Sequence, residues 1–321
     1  MTNIADLLRE GVIAHQNGNL AEAGRLYRAA LDVDVDNASA HNNLGFLLAQ
    51  QLEWPEATTH LRTALRLNPN MSMAHCNLGQ VLVNTGQPGE GLKHLEQATA
   101  CDPDNVTAWD NLARIRVLIG DFQGGEYAAI RALKLSPNAP HLHTRLGIAV
   151  AAQQRLSEAV QHYQQALMLD AKHQEAWAQL GITRFLRNDL GSAKEALETA
   201  LALEPNDANA LRHLALVNLS LGARDVAIGQ FERLLTMQPE DEQSRLDLAV
   251  ILLSEKRSAA ALEQLETISG ETRTSSKFQF YLGLALQQNG QSESGSQLLH
   301  KLADLPDDAY GAKARKLLLV S

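Results

Sequence analysis

An all-α solenoid, an array of paired helices added one unit at a time, is the fold that this 321-residue sequence predicts. Three observations predict it. A pattern beginning at Ile4 restarts every 34 residues, nine times, without insertion or deletion as far as Ala309. Small residues recur at position 8 of the unit (Gly11, Gly45, Gly79, Ala113, Gly147, Gly181, Ala215, Ala249, Gly283) and at position 20 (Ala23, Ala57, Gly91, Gly125, Ala159, Ala193, Ala227, Ala261, Gly295). Leucine fills position 7 in every unit but the first, where Glu10 stands. Length alone would suggest about two globular domains, but a repeat array has no single central core and overrides that expectation.

Within each unit, positions 4, 7, 8 and 11 make one helical face and positions 20, 24, 27 and 28 a second, so each unit reads as helix–turn–helix. Glycine at position 15 (Gly18, Gly86, Gly120, Gly222, Gly290), with Asn188 in a sixth unit, suits a left-handed residue closing the first helix. Small residues at positions 8 and 20 let the two helices approach closely. Proline closes the unit at Pro69, Pro103, Pro137, Pro205 and Pro239. The expected organisation is therefore residues 1–309 as nine tandem 34-residue units, the first starting at residue 4, and residues 310–321 as a C-terminal capping helix.

Taken in order, the first unit ends in three alternating aspartates, Asp32, Asp34 and Asp36. A calcium loop would then need glycine where Asn37 stands and a bidentate glutamate where Asn43 stands, so an inter-repeat turn is the better reading. Glycines at Gly89, Gly91, Gly124 and Gly125 weaken the second helices of units 3 and 4. Unit 8 loses its pattern after Ile268, where residues 269–277 have no proline and many small polar residues.

The 34-residue period with this small/large alternation resembles the tetratricopeptide repeat family, across nine consecutive units. The resemblance implies a right-handed superhelix whose inner surface is lined by the first helix of each pair. Its members serve many unrelated partners, so function must be argued from particular side chains.

Position 6 is expected to face that inner groove, and reads Arg9, Asn43, Asn77, Asn111, Arg145, Gln179, His213, Asp247 and Tyr281. A carboxamide both donates and accepts, so a row of asparagines can clamp the backbone of an extended peptide whatever its side chains. Leading helices about 10 Å apart match about three residues of extended chain, one asparagine to every third peptide unit. The row is similar to the asparagine ladder in the repeat region of O-linked N-acetylglucosamine transferases, and that likeness implies backbone binding by Asn43, Asn77 and Asn111 alone. No glycosyltransferase domain accompanies them. Further along, Ile148, Ala151, Ile182, Phe185, Leu186, Leu216, Leu219, Val250 and Leu253 form an apolar stripe on the leading helices of units 5 to 8. It is either a partner site or, if these helices rotate, packing between units; polar Arg184 and Asn218 at a usually buried position allow the second. Arg114, Arg145, Arg212 and His213 suggest a basic spot favouring an acidic segment. The carboxylate clamp of some co-chaperones in the family would match Asn111 and Arg145, but Cys76, Gln80 and His141 replace its other members.

Several chemistries are not expected. A net charge of −9 without a basic run argues against nucleic acid. No apolar run suggests a signal peptide or membrane span, and two cysteines fit a reducing compartment, so the cytoplasm is expected. His141 and His143 diverge on a helix and cannot easily share a metal ion. Histidine at position 4 (His41, His75, His143) is matched by histidine at position 23 (His60, His94, His162), whereas Trp109 and Trp177 are matched by Ala128 and Ala196; the two positions should touch for packing. His75 beside Cys76 is not a nucleophile–base pair, and no Walker loop or G-x-S-x-G is present. The expectation is a non-enzymatic adaptor or assembly factor without cofactor or metal, holding a protein segment in its groove through Asn43, Asn77, Asn111, Arg114, Arg145, Gln179, Ile182, Phe185, Arg212 and His213. The alternative is a scaffold that joins copies of itself through the apolar stripe or Leu317, Leu318 and Leu319.

Overall fold

The structure is a computed structural model describing residues 3–319; Met1, Thr2, Val320 and Ser321, and with them the end of the expected 310–321 tail, lie outside the described residues. Among the described residues there are nineteen α-helices and no strand. The fold is all-α, of the α-solenoid class, and divides into two compact units, residues 1–176 and 177–321.

In the first unit the helices run α1 (Ile4–Gln16), α2 (Leu20–Val33), α3 (Ala38–Gln50), α4 (Trp54–Leu67), α5 (Ser72–Asn84), α6 (Pro88–Cys101), α7 (Val106–Leu118), α8 (Phe122–Leu135), α9 (Pro140–Ala152) and α10 (Leu156–Leu169). Each odd-numbered, leading helix packs on the trailing helix after it and also on the next leading helix, so α1, α3, α5, α7 and α9 lie side by side as one wall. Leu44, Leu47, Leu48, Leu61, Leu78 and Leu82 bury between successive pairs, with Tyr27 filling the place a leucine takes elsewhere. Burial of side chains of this size contributes about 1.5–3 kcal/mol each.

The second unit begins within α11 (Gln174–Leu186) and continues with α12 (Leu190–Leu203), α13 (Ala208–Ser220), α14 (Arg224–Met237), α15 (Glu242–Ser254), α16 (Ser258–Glu266), a short 3-10 helix (Glu271–Thr274), α17 (Ser276–Gln288), α18 (Ser292–Ala303) and α19 (Ala309–Leu318). The helix α16 has only nine residues, shortened where the sequence pattern fails. The Glu242 carboxylate steadies the segment after it, accepting from Ser269 N at 2.9 Å and Gly270 N at 2.6 Å. These backbone N–H bonds hold its pKa below the usual carboxylate range. The last helix, α19, starts under an Asp308 cap and joins a cluster of Phe280, Leu299, Leu302 and Ala314, against which Leu317 and Leu318 pack.

The turn between helices of a pair explains the glycine pattern and extends it. Position 15 has positive φ in all nine units, glycine or not: Leu52 (63°), Gln154 (63°), Asn188 (61°) and Lys256 (58°) share the conformation of Gly18, Gly86, Gly120, Gly222 and Gly290. A side chain there strains the backbone by about 1–2 kcal/mol, offset in part by the greater unfolded freedom of glycine. Gln154→Gly and Lys256→Gly should therefore each raise stability by up to about 1 kcal/mol; urea midpoints at constant m check this, and no gain at either site would contradict it.

At four junctions between successive repeats within residues 1–176, a ring N–H meets the turn carbonyl. His41 Nε2 lies 2.9 Å from Val35 O, His75 Nε2 2.9 Å from Pro69 O, His143 Nε2 3.1 Å from Pro137 O, and Trp109 Nε1 donates to Pro103 O at 2.8 Å. Each bond satisfies a turn carbonyl that the helices leave without a partner. Between the third and fourth pairs, Asn105 Nδ2 donates to Ser72 Oγ at 2.8 Å and Ser72 Oγ to Ala98 O at 2.9 Å, a buried chain across the seam.

Candidate functional site

The wall of leading helices in residues 1–176 carries the asparagine row. Asn43, Asn77 and Asn111 sit at equivalent places on α3, α5 and α7, each half-buried. Their neighbours place them in a ladder that crosses from helix to helix. Asn77 Nδ2 donates to Asn42 Oδ1 at 2.9 Å, and Asn42 Nδ2 donates to Asn43 Oδ1 at 3.2 Å. Asn111 Nδ2 donates to Cys76 Sγ at 3.3 Å, and Arg145 Nε to Asp110 Oδ1 at 2.8 Å. Each of these three cross-helix bonds joins position 5 of one pair to position 6 of the next. Burial pushes the Cys76 thiol up, so it serves here as a neutral acceptor.

These bonds use one end of each carboxamide and leave the other. Among the described residues, Asn77 and Asn111 keep their Oδ1 acceptors and Asn43 keeps its Nδ2 donors. Two adjoining cavities lie over them. One, of about 460 Å³, is lined by Val12, His15, Tyr27, Asn43, Phe46 and Met73. The other, of about 390 Å³, is lined by Phe46, Trp54, Val81, Asn77, Thr107 and Asn111. Phe46, 41% exposed, divides the two, and its ring stacks on His15 at 5.3 Å between centroids. Both volumes suit ligand side chains.

A third cavity follows, of about 180 Å³, between Arg114, Arg145, Val117, Leu118 and Ile148. Arg114 donates to Gln80 Oε1 beside the second cavity. Burial and the nearby Arg145 charge lower the Arg114 pKa, while Asp110 opposes them.

In residues 177–321 the expected site residues are engaged differently. Arg212 Nη2 and Lys277 Nζ both reach Asp247, at 3.7 and 2.8 Å, so Arg212 is tied to a shared carboxylate. His213 Nδ1 lies 2.9 Å from Asn209 O, and burial lowers its pKa. Gln179 is half-buried on α11. Ile182 and Phe185 pack against a buried cluster that contains Leu197, Leu214 and Val217, and Leu216 and Leu219 against a second cluster that contains the buried Leu253. Five members of the apolar stripe, Ile182, Phe185, Leu216, Leu219 and Leu253, are thus packing between helices, whereas Leu186 is 60% exposed and Ile148 lines the third cavity. Asn218 is buried and donates to Gln230 Oε1 at 2.9 Å.

Positions 4 and 23 do touch. His41 Nδ1 lies 2.8 Å from His60 Nδ1 with ring centroids 5.0 Å apart, and His75 and His94 repeat this at 2.9 and 5.2 Å. Those separations put the two nitrogens on nearly one line with the ring centres, the geometry of an N–H···N hydrogen bond. Because His41 Nε2 donates to a carbonyl, its neutral Nδ1 must accept, and His60 Nδ1 carries the proton. Among the described residues, no three His, Cys, Asp or Glu side chains group to hold a metal ion.

Sequence reasoning missed Phe46, Gln50, Met73 and Trp54. Positions 9 and 13 of the second unit, Phe46 and Gln50, held the available signal.

Models of the tetratricopeptide repeat family match residues 11–51, 76–140, 111–177, 150–217 and 219–271. The chain belongs to the tetratricopeptide repeat family. Its members generally mediate protein–protein interaction, on a fold that is typically non-catalytic. No curated protein matches the chain. Among solved structures it is similar to the Cut9–Hcn1 hetero-tetramer of the APC/C, at 16% identity and a TM-score of 0.65 over 88% of this chain and 52% of that one. It is also similar to a tetratricopeptide repeat protein from Parabacteroides merdae, at 14% identity and a TM-score of 0.62 over 78% of this chain and 98% of that one. A third is PilF of Pseudomonas aeruginosa, at 18% identity and 0.55 over 63% and 92%. These likenesses concern the fold. Among the described residues, no helix is long and apolar enough to cross a membrane.

Proposed function

We propose that the chain is a non-enzymatic cytoplasmic adaptor that holds an extended segment of another protein along the leading-helix wall of residues 1–176. The observation that carries this reading is the pairing of free carboxamide ends with side-chain-sized cavities: Asn77 and Asn111 offer acceptors to peptide N–H groups, and Asn43 offers donors to a peptide C=O. Cross-helix bonds hold the Asn77 and Asn111 carboxamides, and the adjacent Asn42 holds that of Asn43, before a ligand arrives, which reduces the ordering cost of binding. A polyproline II segment advances about 9 Å in three residues, close to the 8–10 Å between packed helices, so each turn could meet one asparagine.

Each hydrogen bond is worth about 0.5–1.5 kcal/mol. The double variant Asn77→Ala/Asn111→Ala should therefore weaken capture of the partner segment about tenfold or more, with an unchanged fold by circular dichroism. Binding at wild-type strength on a peptide array would count against the reading. The alternative of self-association through the C-terminal end draws less support, since Leu317 and Leu318 pack against the chain's own cluster and leave Leu319 as the exposed leucine of that run. Sedimentation that shows concentration-dependent dimers, abolished by Leu319→Ser, would favour it instead.

A further inference from the structure

Resting on that reading of the groove, we infer that the bound segment carries one carboxylate, seated between Arg114 and Arg145, and a large apolar side chain three to five residues away, seated beside Phe46 and Trp54. The order of the cavities sets the code. The first two are lined largely by aliphatic and aromatic carbon together with the asparagines, and the third holds two guanidinium groups among Val117, Leu118 and Ile148.

The charge count in the third cavity selects the ligand. Two arginines face one carboxylate, Asp110, which lies 2.8 Å from Arg145 Nε with both side chains at least four-fifths buried. One positive charge is left over, on Arg114, whose own internal bond is to the neutral Gln80. That guanidinium is partly desolvated and beside a like charge, the circumstances that lower its pKa. A single carboxylate would neutralise it in a setting of reduced dielectric, where a charge-assisted hydrogen bond is stronger than at an open surface. A dianion would meet repulsion from Asp110, so a phosphate is disfavoured. The aliphatic walls fit the stem of a glutamate or the last residue of a chain. The three-to-five-residue separation follows from the step between the second and third cavities, one helix pair or slightly more, at about 3.1–3.6 Å per residue of extended chain.

The carboxylate can come from an acidic side chain or from a C-terminus, and the test separates them. Fluorescein-labelled peptides of about nine residues would present Leu or Phe at one position and Glu, Gln or a free or amidated C-terminus at each spacing from it. Fluorescence polarisation would read the affinities for the wild type, Arg114→Gln and Asn77→Ala/Asn111→Ala. Arg114→Gln leaves the Arg145–Asp110 pair intact, and thermal unfolding verifies its fold. The expected result is about tenfold tighter binding of the carboxylate peptide than of its amide counterpart at a spacing of three to five. That ratio should fall to near one in Arg114→Gln. If the ratio is near one in the wild type while the asparagine variant still loses affinity, the carboxylate inference is overturned and the groove stands. If every peptide binds the asparagine variant as it binds the wild type, both fall.

Discussion

Gly91→Ala should lower the stability of this chain by about 1–3 kcal/mol through overpacking, whereas Gly89→Ala, two residues earlier in the same helix, should raise it by about 0.5–1 kcal/mol. The opposite signs come from what a methyl group would meet. At Gly91 it would lie 2.7 Å from Gly79 O and 2.6 Å from Val83 Cγ2, and the carbonyl belongs to a helical backbone that cannot yield. The approach is mutual, since a methyl on Gly79 would lie 2.9 Å from Gly91 O and 2.8 Å from Leu95 Cγ. Here α5 and α6 touch backbone to backbone. At Gly89 nothing lies within 4 Å, so alanine there gains helix propensity without a clash. Urea denaturation of the two variants, with m held constant, reads the difference; two shifts of the same sign would refute the close-approach argument.

The helical pairing was legible because it depends on residue size at fixed spacing. A glycine or alanine at positions 8 and 20 reports helix contact whatever surrounds it. The left-handed turn was legible at Gly18 and hidden at Leu52, Gln154 and Lys256, where cooperative packing of the two helices imposes a conformation those residues do not favour. The groove was half legible. Asn43, Asn77 and Asn111 declared themselves by repetition, but their partners Asn42 and Cys76, like Asp110 beneath Arg145, differ in kind from unit to unit and show no pattern to read. Which of Phe46, Ile182 and Phe185 stays open depends on a small rotation of each helix against its neighbour, and sequence carries no direct record of that angle. The basic spot divides for a similar reason: Arg212 and Lys277 lie 65 positions apart in sequence, and only the fold brings both to Asp247.

Acid should weaken the first compact unit specifically through its histidine pairs. Burial is the main cause that lowers the pKa of His60, His94 and His162, with the partner histidines His41, His75 and His143 adding to it. A histidine with a folded pKa below its unfolded value of about 6.5 favours the folded state only while neutral. Above about pH 6.5 both states are neutral and the stability is fully present. As pH falls below that value the unfolded chain takes up protons first, and the contribution is lost down through the lower folded values. Between pH 7.5 and 5.5, where carboxylates scarcely titrate, the denaturation midpoint should therefore fall. In the triple variant His60→Gln, His94→Gln, His162→Gln the slope should be clearly reduced, the remainder including the half-buried His213, whose pKa is lowered in the same way. Parallel pH profiles for the two proteins would remove the histidine pairs as its cause.

The cross-helix bonds from position 5 to position 6 bear on which changes of length this chain can tolerate. Each partner stands 35 residues from the other, one period plus one. An extra residue inside α5 ahead of Asn77 would turn that side chain about 100° around its helix, breaking its bond to Asn42 and swinging it out of line with Asn43 and Asn111. An insertion at the helix-to-helix turn would leave the same alignment untouched. Deletions and insertions in the first 176 residues should thus be excluded from the early part of every odd-numbered helix long before they unfold anything, because the grip on a ligand is lost first.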